Sequence, residues 1–362
     1  MPESSIVVRP ERPGSASYTE SSRLQAAGLP AAIGLFEQAS NDVPLPEAPQ
    51  PIVIADYGAG TGHNSLLPIA AAITRLRTRT RRDQSILVAH TDAAENDFTV
   101  LFRTLADDPA SYLKHDSATY ASAVGRSFYQ QILPSNSVTL GWSSWAVQWL
   151  SRAPTPITDH VQADCSADPG VRAAYARQAA EDWHEFVAFR GRELSPHGRL
   201  VVLTMAIAES GEPGLRPVFD HVLAVLRELI GEGLLTEDEL GAMALPIVGR
   251  SAMDFVAPFS PKGTFEHLTV EHLEVFNAED RYWSQYQIDK DAKAFGARWA
   301  AFARAAAFPT LAGALVGGVG DPRRAEFLDR LEEGLVQRLA AAPEQMRIPL
   351  AKVVLVKAGR SH

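Results

Sequence analysis

Cysteine is almost absent: Cys165 is the single one in 362 residues. No disulfide can close within the chain, and nothing in it calls for an oxidising compartment. A reactive role for Cys165 would need an activating neighbour, and the sequence names none. Long apolar runs are missing too. The longest, residues 200–208, falls far short of the roughly 20 residues that span a bilayer. A positive field is also lacking. The 34 Lys and Arg stand against 43 Asp and Glu, a net charge of −9, which argues against a nucleic-acid-binding surface. Arg75, Arg77, Arg79, Arg81 and Arg82 form the local exception. They read as the solvated end of a helix, where cations suit the helix dipole, rather than as a phosphate-binding patch. The 10 histidines are scattered, with no His-Glu-x-x-His, so no metal site is expected. His184 beside Glu185 reads as a helix-surface residue. Residues 1–14 are charged and proline-bearing, without the apolar core of a signal peptide. These absences predict a cytoplasmic protein with neither membrane nor nucleic acid as partner.

What is present suits a globular protein with a sizeable core: 46% hydrophobic and 21% charged residues. The length fits one large α/β domain carrying a cap, or two intimate lobes. Spacing predicts a helix over residues 21–39, ended by the run of Pro44, Pro46, Pro49 and Pro51. Ile52-Val53-Ile54-Ala55, between proline and a glycine-rich turn, reads as a buried parallel strand. Further strands are expected over 85–90, 137–142 and 200–206, with helices over 64–78, 96–106 and 171–194. This alternation predicts a parallel sheet with helices on both faces. Past residue 210 the texture becomes mostly helical, over 217–231, 236–244, 292–308 and 324–341. One or two strands are expected over 265–276, and a closing strand over 348–357. The expected division is an α/β body over 1–209, a mostly helical cap over 210–320, and a return to the body over 321–362.

The first strand ends in Asp56-Tyr57-Gly58-Ala59-Gly60-Thr61-Gly62-His63-Asn64. Glycines two apart after a strand let the backbone approach a ligand and open a helix whose free N–H groups face it. Dinucleotide-binding folds use a similar turn, and a purely structural βα turn remains open. Two details favour S-adenosylmethionine (AdoMet). Asp56 precedes the glycines, where a carboxylate can meet the cationic end of the ligand. Asp92 follows the next strand, where it can accept both ribose hydroxyls.

Read outwards from this turn, the sequence resembles the SABATH family of AdoMet-dependent carboxyl methyltransferases. Ser17-Tyr18-Thr19-Glu20-Ser21-Ser22-Arg23-Leu24-Gln25 is similar to the family's S-Y-A-x-N-S-x-x-Q. Ile54-Ala55-Asp56-Tyr57-Gly58, with Gly62 and Asn64, resembles I-A-D-L-G-x-x-x-G-x-N, and Asp92 with Asn96-Asp97-Phe98 resembles N-D-x-x-x-N-D-F. Most specific is Gly125-Arg126-Ser127-Phe128-Tyr129 through Leu133-Pro134, then Ser143-Ser144-Trp145-Ala146-Val147-Gln148-Trp149-Leu150-Ser151 with Pro154. Weaker echoes lie at Glu232-Gly233-Leu234, Leu245-Pro246, Gly263-Thr264-Phe265 and Arg304-Ala305. The match is collinear over nearly the whole chain, and the alanine- and arginine-rich composition suggests a bacterial member.

The resemblance implies a Rossmann-like methyltransferase fold and a site. Ser22, Gln25, Asp56, Gly58, Asn64, Asp92, Ser127 and Phe128 fall on positions that surround AdoMet. Gln25 and Trp149 fall on the positions that hold a substrate carboxylate. An amide and an indole are neutral donors, which bind an anion without drawing as much electron density from it as a cation would. Tyr18, Trp145, Gln148, Phe219, Val222, Ala303 and Ala306 fall on the substrate pocket, and Leu215 and Val218 extend an apolar wall that also reads as plain helix core. Trp145 and Gln148 replace a tyrosine and a ring-sandwiching methionine of salicylate-type members. Ala303 and Ala306 stand where larger side chains are usual. Glu11-Arg12 replaces a glycine pair near the N-terminus. These departures point to a small or elongated apolar acid, fatty or aromatic, as the small-molecule substrate. The family also allows a homodimer. Competing readings are N-methylation of a purine-like substrate, against which Trp149 stands, and a catalytically dead AdoMet-binding module. A nicotinamide-dependent oxidoreductase would want a carboxylate about twenty residues past the glycines; Asp92 lies further on.

Overall fold

Short β-branched runs alternating with amphipathic helices give a seven-stranded sheet, seen in a computed structural model that describes residues 29–359. The expected site residues Tyr18, Ser22 and Gln25 lie outside the described residues. In chain order, α1 (Leu29–Asp42) precedes β1 (Ile52–Tyr57), α2 (His63–Arg77), β2 (Ile86–Asp92) and α3 (Phe98–Asp107). Next come α4 (Tyr112–His115), β3 (Thr119–Gly125), β4 (Val138–Ser144), α5 (Pro169–Glu193) and β5 (Leu194–Met205). The second half holds α6 (Arg216–Gly231), α7 (Glu237–Ala242), α8 (Ala252–Val256), β6 (Leu268–Asn277) and α9 (Arg281–Asp289). It closes with α10 (Ala292–Ala306), α11 (Phe308–Ala312), α12 (Arg324–Ala341) and β7 (Pro349–Lys357).

The strand order is β3-β2-β1-β4-β5-β7-β6. β2 and β3 lie on one side of β1, and β4 pairs with its other edge. The direction of winding therefore reverses at β1, and open α/β sheets bind ligands beyond the strand ends at such a point. The two faces follow from period-2 alternation. Ile52 and Ile54 of β1 join Val88, Leu140 and Trp142 in a core shared with Phe36 of α1 and Ile69 of α2. Ala55 and Tyr57 join Leu200, Val202 and Val353 in a core closed by Trp183, Phe186 and Val187 of α5.

The expected parallel sheet with helices is found, with one antiparallel strand next to an edge. β7 lies between β5 and β6 and runs antiparallel to both. β3 was not foreseen, since Thr119–Gly125 is a short run of small and polar residues, half-exposed at the sheet edge. The helix expected over 292–308 breaks at Ala307, where Pro309 removes a donor and a new turn begins at Phe308. Within 210–320, β6 belongs to the sheet, while α10 packs on α12 and α12 on α6.

Candidate active site

The glycine-rich turn lies at the reversal of strand order. Gly58 has φ +85, and a Cβ there would stand 2.3 Å from the Ala146 Cβ, so conformation and space both demand glycine. The turn is gripped from the neighbouring strand. The Gly58 and Ala59 N–H groups donate to the Thr91 carbonyl at 2.9 and 3.0 Å. Asn96 Nδ2 donates to the Gly60 carbonyl at 2.8 Å, and the Gly60 N–H donates to Asp92 Oδ2 at 2.7 Å. Asp97, the other polar residue of that motif, caps α3 by accepting from Thr99 and Val100.

Two carboxylates flank the turn. Asp56 is buried and paired with His90 at 2.8 Å. Asp92 Oδ1 accepts from the Ala93 N–H at 2.7 Å. Burial pushes the Asp92 carboxyl up to about 6; the two backbone N–H groups oppose the rise and the Asp56 charge adds to it.

Ser127 and Phe128 lie just past β3 on a segment clamped by a buried ion pair. Arg190 donates to the Phe128 carbonyl at 2.7 Å and the Gln130 carbonyl at 2.9 Å. Its partner Glu193, 2.9 Å away, accepts from the Ile132 and Leu133 N–H groups at 2.7 and 3.0 Å and from the Tyr57 hydroxyl at 2.8 Å. Every oxygen of that carboxylate is used, which is what makes a buried charge tolerable. The Phe128 ring meets Tyr129 and Phe186 edge-on, with centroids 4.8 and 5.7 Å apart.

The segment after β4 is held in the same manner. Trp145 has φ +55, an uncommon conformation for a bulky residue. Gln148 fixes it: Nε2 donates to the Trp145 carbonyl at 2.6 Å and Oε1 accepts from Thr204 at 2.9 Å. The Gln148 amide is therefore spent inside the wall. Buried Arg250 donates to the Val147 carbonyl at 2.6 Å and to the Ala179 carbonyl at 3.1 and 2.9 Å. The Trp149 carbonyl accepts from the Tyr129 hydroxyl at 2.6 Å, and Trp149 pairs with Ile247 across an isolated bridge. No hydrogen bond within the described residues engages its indole N–H.

One cavity collects every expected site residue that is described: Asp56, Gly58, Asn64, Asp92, Ser127, Phe128, Trp145, Gln148, Trp149, Phe219, Val222, Ala303 and Ala306. Leu215 and Val218 line it too, together with Met205, Leu245, Ile247 and Phe302, which sequence reasoning did not place there. The Trp149–Ile247 pairing joins segments about a hundred residues apart, and no local pattern announces it. Away from the cavity, His160, Cys165 and Asp220 bring donor atoms within 4.8 Å of one another. His160 Nδ1 accepts from the Gln162 N–H at 3.1 Å and Nε2 faces Asp220 at 3.1 Å, so the ring proton sits on Nε2. Burial, with the Asp220 charge adding, pushes the Cys165 thiol up to about 12. Neither group is poised as a metal ligand.

A sheet wound in this order and opened by such a turn is the frame of the Rossmann-like methyltransferases. A loganic acid methyltransferase solved with SAH matches it with a TM-score of 0.77 over 97% of this chain and 99% of that one, at 21% identity. The match extends to family: residues 9–355 fit the SAM dependent carboxyl methyltransferases, and the chain belongs to that family, the SABATH group its motifs resemble. A benzoic acid/salicylic acid carboxyl methyltransferase of Petunia hybrida is 27% identical over 276 residues, 72% of this chain and 76% of the relative. A 3,7-dimethylxanthine N-methyltransferase of Camellia sinensis var. assamica is 27% identical over 246 residues, 64% and 66%. The chain is thus an AdoMet-dependent methyltransferase. Among the described residues no helix is long and apolar enough to cross a membrane.

Proposed function

We propose that the enzyme converts the carboxylate of a small or elongated apolar acid, fatty or aromatic, into its methyl ester. The observation that carries this reading is the make-up of the cavity's lining. The carboxylates Asp56 and Asp92 enter it from the ends of β1 and β2, Val218, Phe219, Val222, Phe302, Ala303 and Ala306 enter it as an apolar wall from α6 and α10, and Trp149 shares the same lining.

The first group suits AdoMet. Two carboxylates match a ligand with a cationic end and two ribose hydroxyls, and Gly60 lines the cavity with open space where a Cβ would stand, which lets its backbone come close. Ser127, Phe128 and Asn64 complete this group, with Ser22 and Gln25 proposed to join them. The cofactor supplies a methyl group already activated on a sulfonium. A carboxylic acid is ionised at neutral pH, its pKa lying near 4 to 5. No residue therefore has to move a proton, and the chain's task is to orient the acid and exclude water. Trp149 and Gln25 supply neutral N–H donors to the carboxylate, and the apolar wall takes the tail. Residues 210–320, apart from β6, act as the cap that provides this wall. N-methylation of a xanthine, the reaction in the name of the Camellia relative, would need several polar partners, whereas α6 and α10 offer it alkyl and phenyl groups and the lining leaves the Ser144 hydroxyl and the Trp145 indole N–H unpartnered among the described residues.

The test is incubation with methyl-labelled AdoMet and a panel of benzoates, indole acids, fatty acids of graded length and xanthines. Labelled methyl esters are expected; label on xanthines alone, or on none of the panel, overturns the reading. Ala303→Phe, which adds bulk to the apolar wall of the cavity, is expected to shift the preferred fatty acid to a shorter chain; an unchanged profile would place the tail elsewhere.

Asp92 gives a pH dependence with a defined sign. Ribose hydroxyls need an ionised acceptor, and in the free protein this carboxyl holds its proton up to about pH 6. AdoMet affinity is expected to be full above that value and to weaken as pH falls through it, approaching about tenfold per unit below. Titration calorimetry from neutral to acidic pH checks this, and a flat Kd would contradict it.

A further inference from the structure

Behind Asp56, a buried histidine of β2 and a tyrosine of α4 form a polar line that the chemistry above does not use. His90 pairs with Asp56 in the parallel register and is fully buried, at a depth where a central strand is ordinarily apolar. Its Nδ1 lies 2.8 Å from Asp56 Oδ2 and its Nε2 lies 2.7 Å from the Tyr112 hydroxyl. Tyr112 opens α4 and stacks on the imidazole, with centroids 6.1 Å apart. Burial, with the Asp56 charge adding, pushes the Tyr112 hydroxyl up, so it keeps its proton, and among the described residues His90 Nε2 is the hydrogen-bond partner placed to receive it. A neutral ring that accepts at Nε2 carries its own proton on Nδ1, aimed at the carboxylate. The line then runs Tyr112 O–H to His90 Nε2, and His90 Nδ1–H to Asp56 Oδ2. Every atom in it is satisfied, and the alternative tautomer would set a lone pair against an anion. One oxygen of Asp56 is tied into the core while the residue lines the cavity. Without that tie the carboxylate is free to turn about its last side-chain bond.

We propose that His90, itself oriented by Tyr112, is a positioning residue for AdoMet: its Nδ1–H holds Asp56 so that the carboxylate meets the cationic end of the cofactor. The inference rests on the cofactor and not on the acid substrate, so it stands or falls separately from the carboxyl reading.

The test compares His90→Leu, His90→Asn and Tyr112→Phe by calorimetric AdoMet binding and by melting temperature. A histidine that only fills the core would be replaced better by leucine than by asparagine in both measurements. Positioning predicts that the two measurements split. The asparagine Nδ2–H falls near the place of Nδ1–H, so His90→Asn keeps Kd within about threefold of wild type although it melts lower. His90→Leu loses a hydrogen bond to a charged group, which weakens AdoMet about 10- to 30-fold. Tyr112→Phe releases the tautomer and weakens binding about 3- to 10-fold. Wild-type affinity in the leucine variant, or equal losses in leucine and asparagine, overturns the proposal. Should the leucine variant not fold, Tyr112→Phe decides, and an unchanged Kd there overturns it.

Discussion

Trp149→Phe is expected to bind AdoMet with wild-type affinity and to lose a hundredfold or more in kcat/KM for the acid, about the cost of removing one preorganised donor from an anionic oxygen. The ring volume is largely kept, and the backbone of residue 149 is held by contacts the substitution leaves alone. Its carbonyl accepts from Tyr129, its N–H donates to Ala146 at 3.0 Å, and it pairs with Ile247. The lost term is therefore the indole N–H itself. Steady-state kinetics with ester quantified by mass spectrometry, beside calorimetry of AdoMet, separates the acid's site from the cofactor's. Turnover within a fewfold of wild type would remove Trp149 from the carboxylate site.

Gly58→Ala is expected to abolish measurable AdoMet binding, a loss beyond about a hundredfold. Two costs add. The left-handed conformation disfavours any side chain by about 1–2 kcal/mol, and the new methyl would sit 2.3 Å from the Ala146 Cβ. Both neighbours are backbone-fixed, since Gly58 donates to Thr91 and the 145–149 segment is held by Gln148 and Arg250. The turn has to move away from its place in the cavity lining. Adding Ala146→Gly removes the clash but not the strain, so the double variant should recover part of the affinity. Wild-type binding by the single variant, read by calorimetry, would refute this description of the turn.

Legibility in the sequence followed burial. β1, β2, β4 and the inner part of β5 are apolar and β-branched because both their faces are covered, and such runs announce themselves. α12 runs from Arg324 to Ala341, the bounds its spacing gives. β3 does not announce itself, because an edge strand of small and polar residues carries no strong period. Strand direction is invisible to hydrophobic pattern, so the antiparallel β7 could not be read from Pro349–Lys357 alone. The residues proposed to hold the cofactor could be placed together because they cluster in short motifs, whereas Met205, the neighbouring Leu245 and Ile247, and Phe302 reach the cavity from three distant segments. Gln148 shows the limit of position without partners: it lines the cavity as expected, yet its amide faces Trp145 and Thr204.

The most direct test is a crystal structure with S-adenosylhomocysteine and octanoate, a fatty acid of intermediate length. The account predicts a carboxylate oxygen about 3 Å from Trp149 Nε1 and an alkyl tail running between Val222 and Ala303. A carboxylate turned away from that indole, with the tail lying across Asp56, would contradict it.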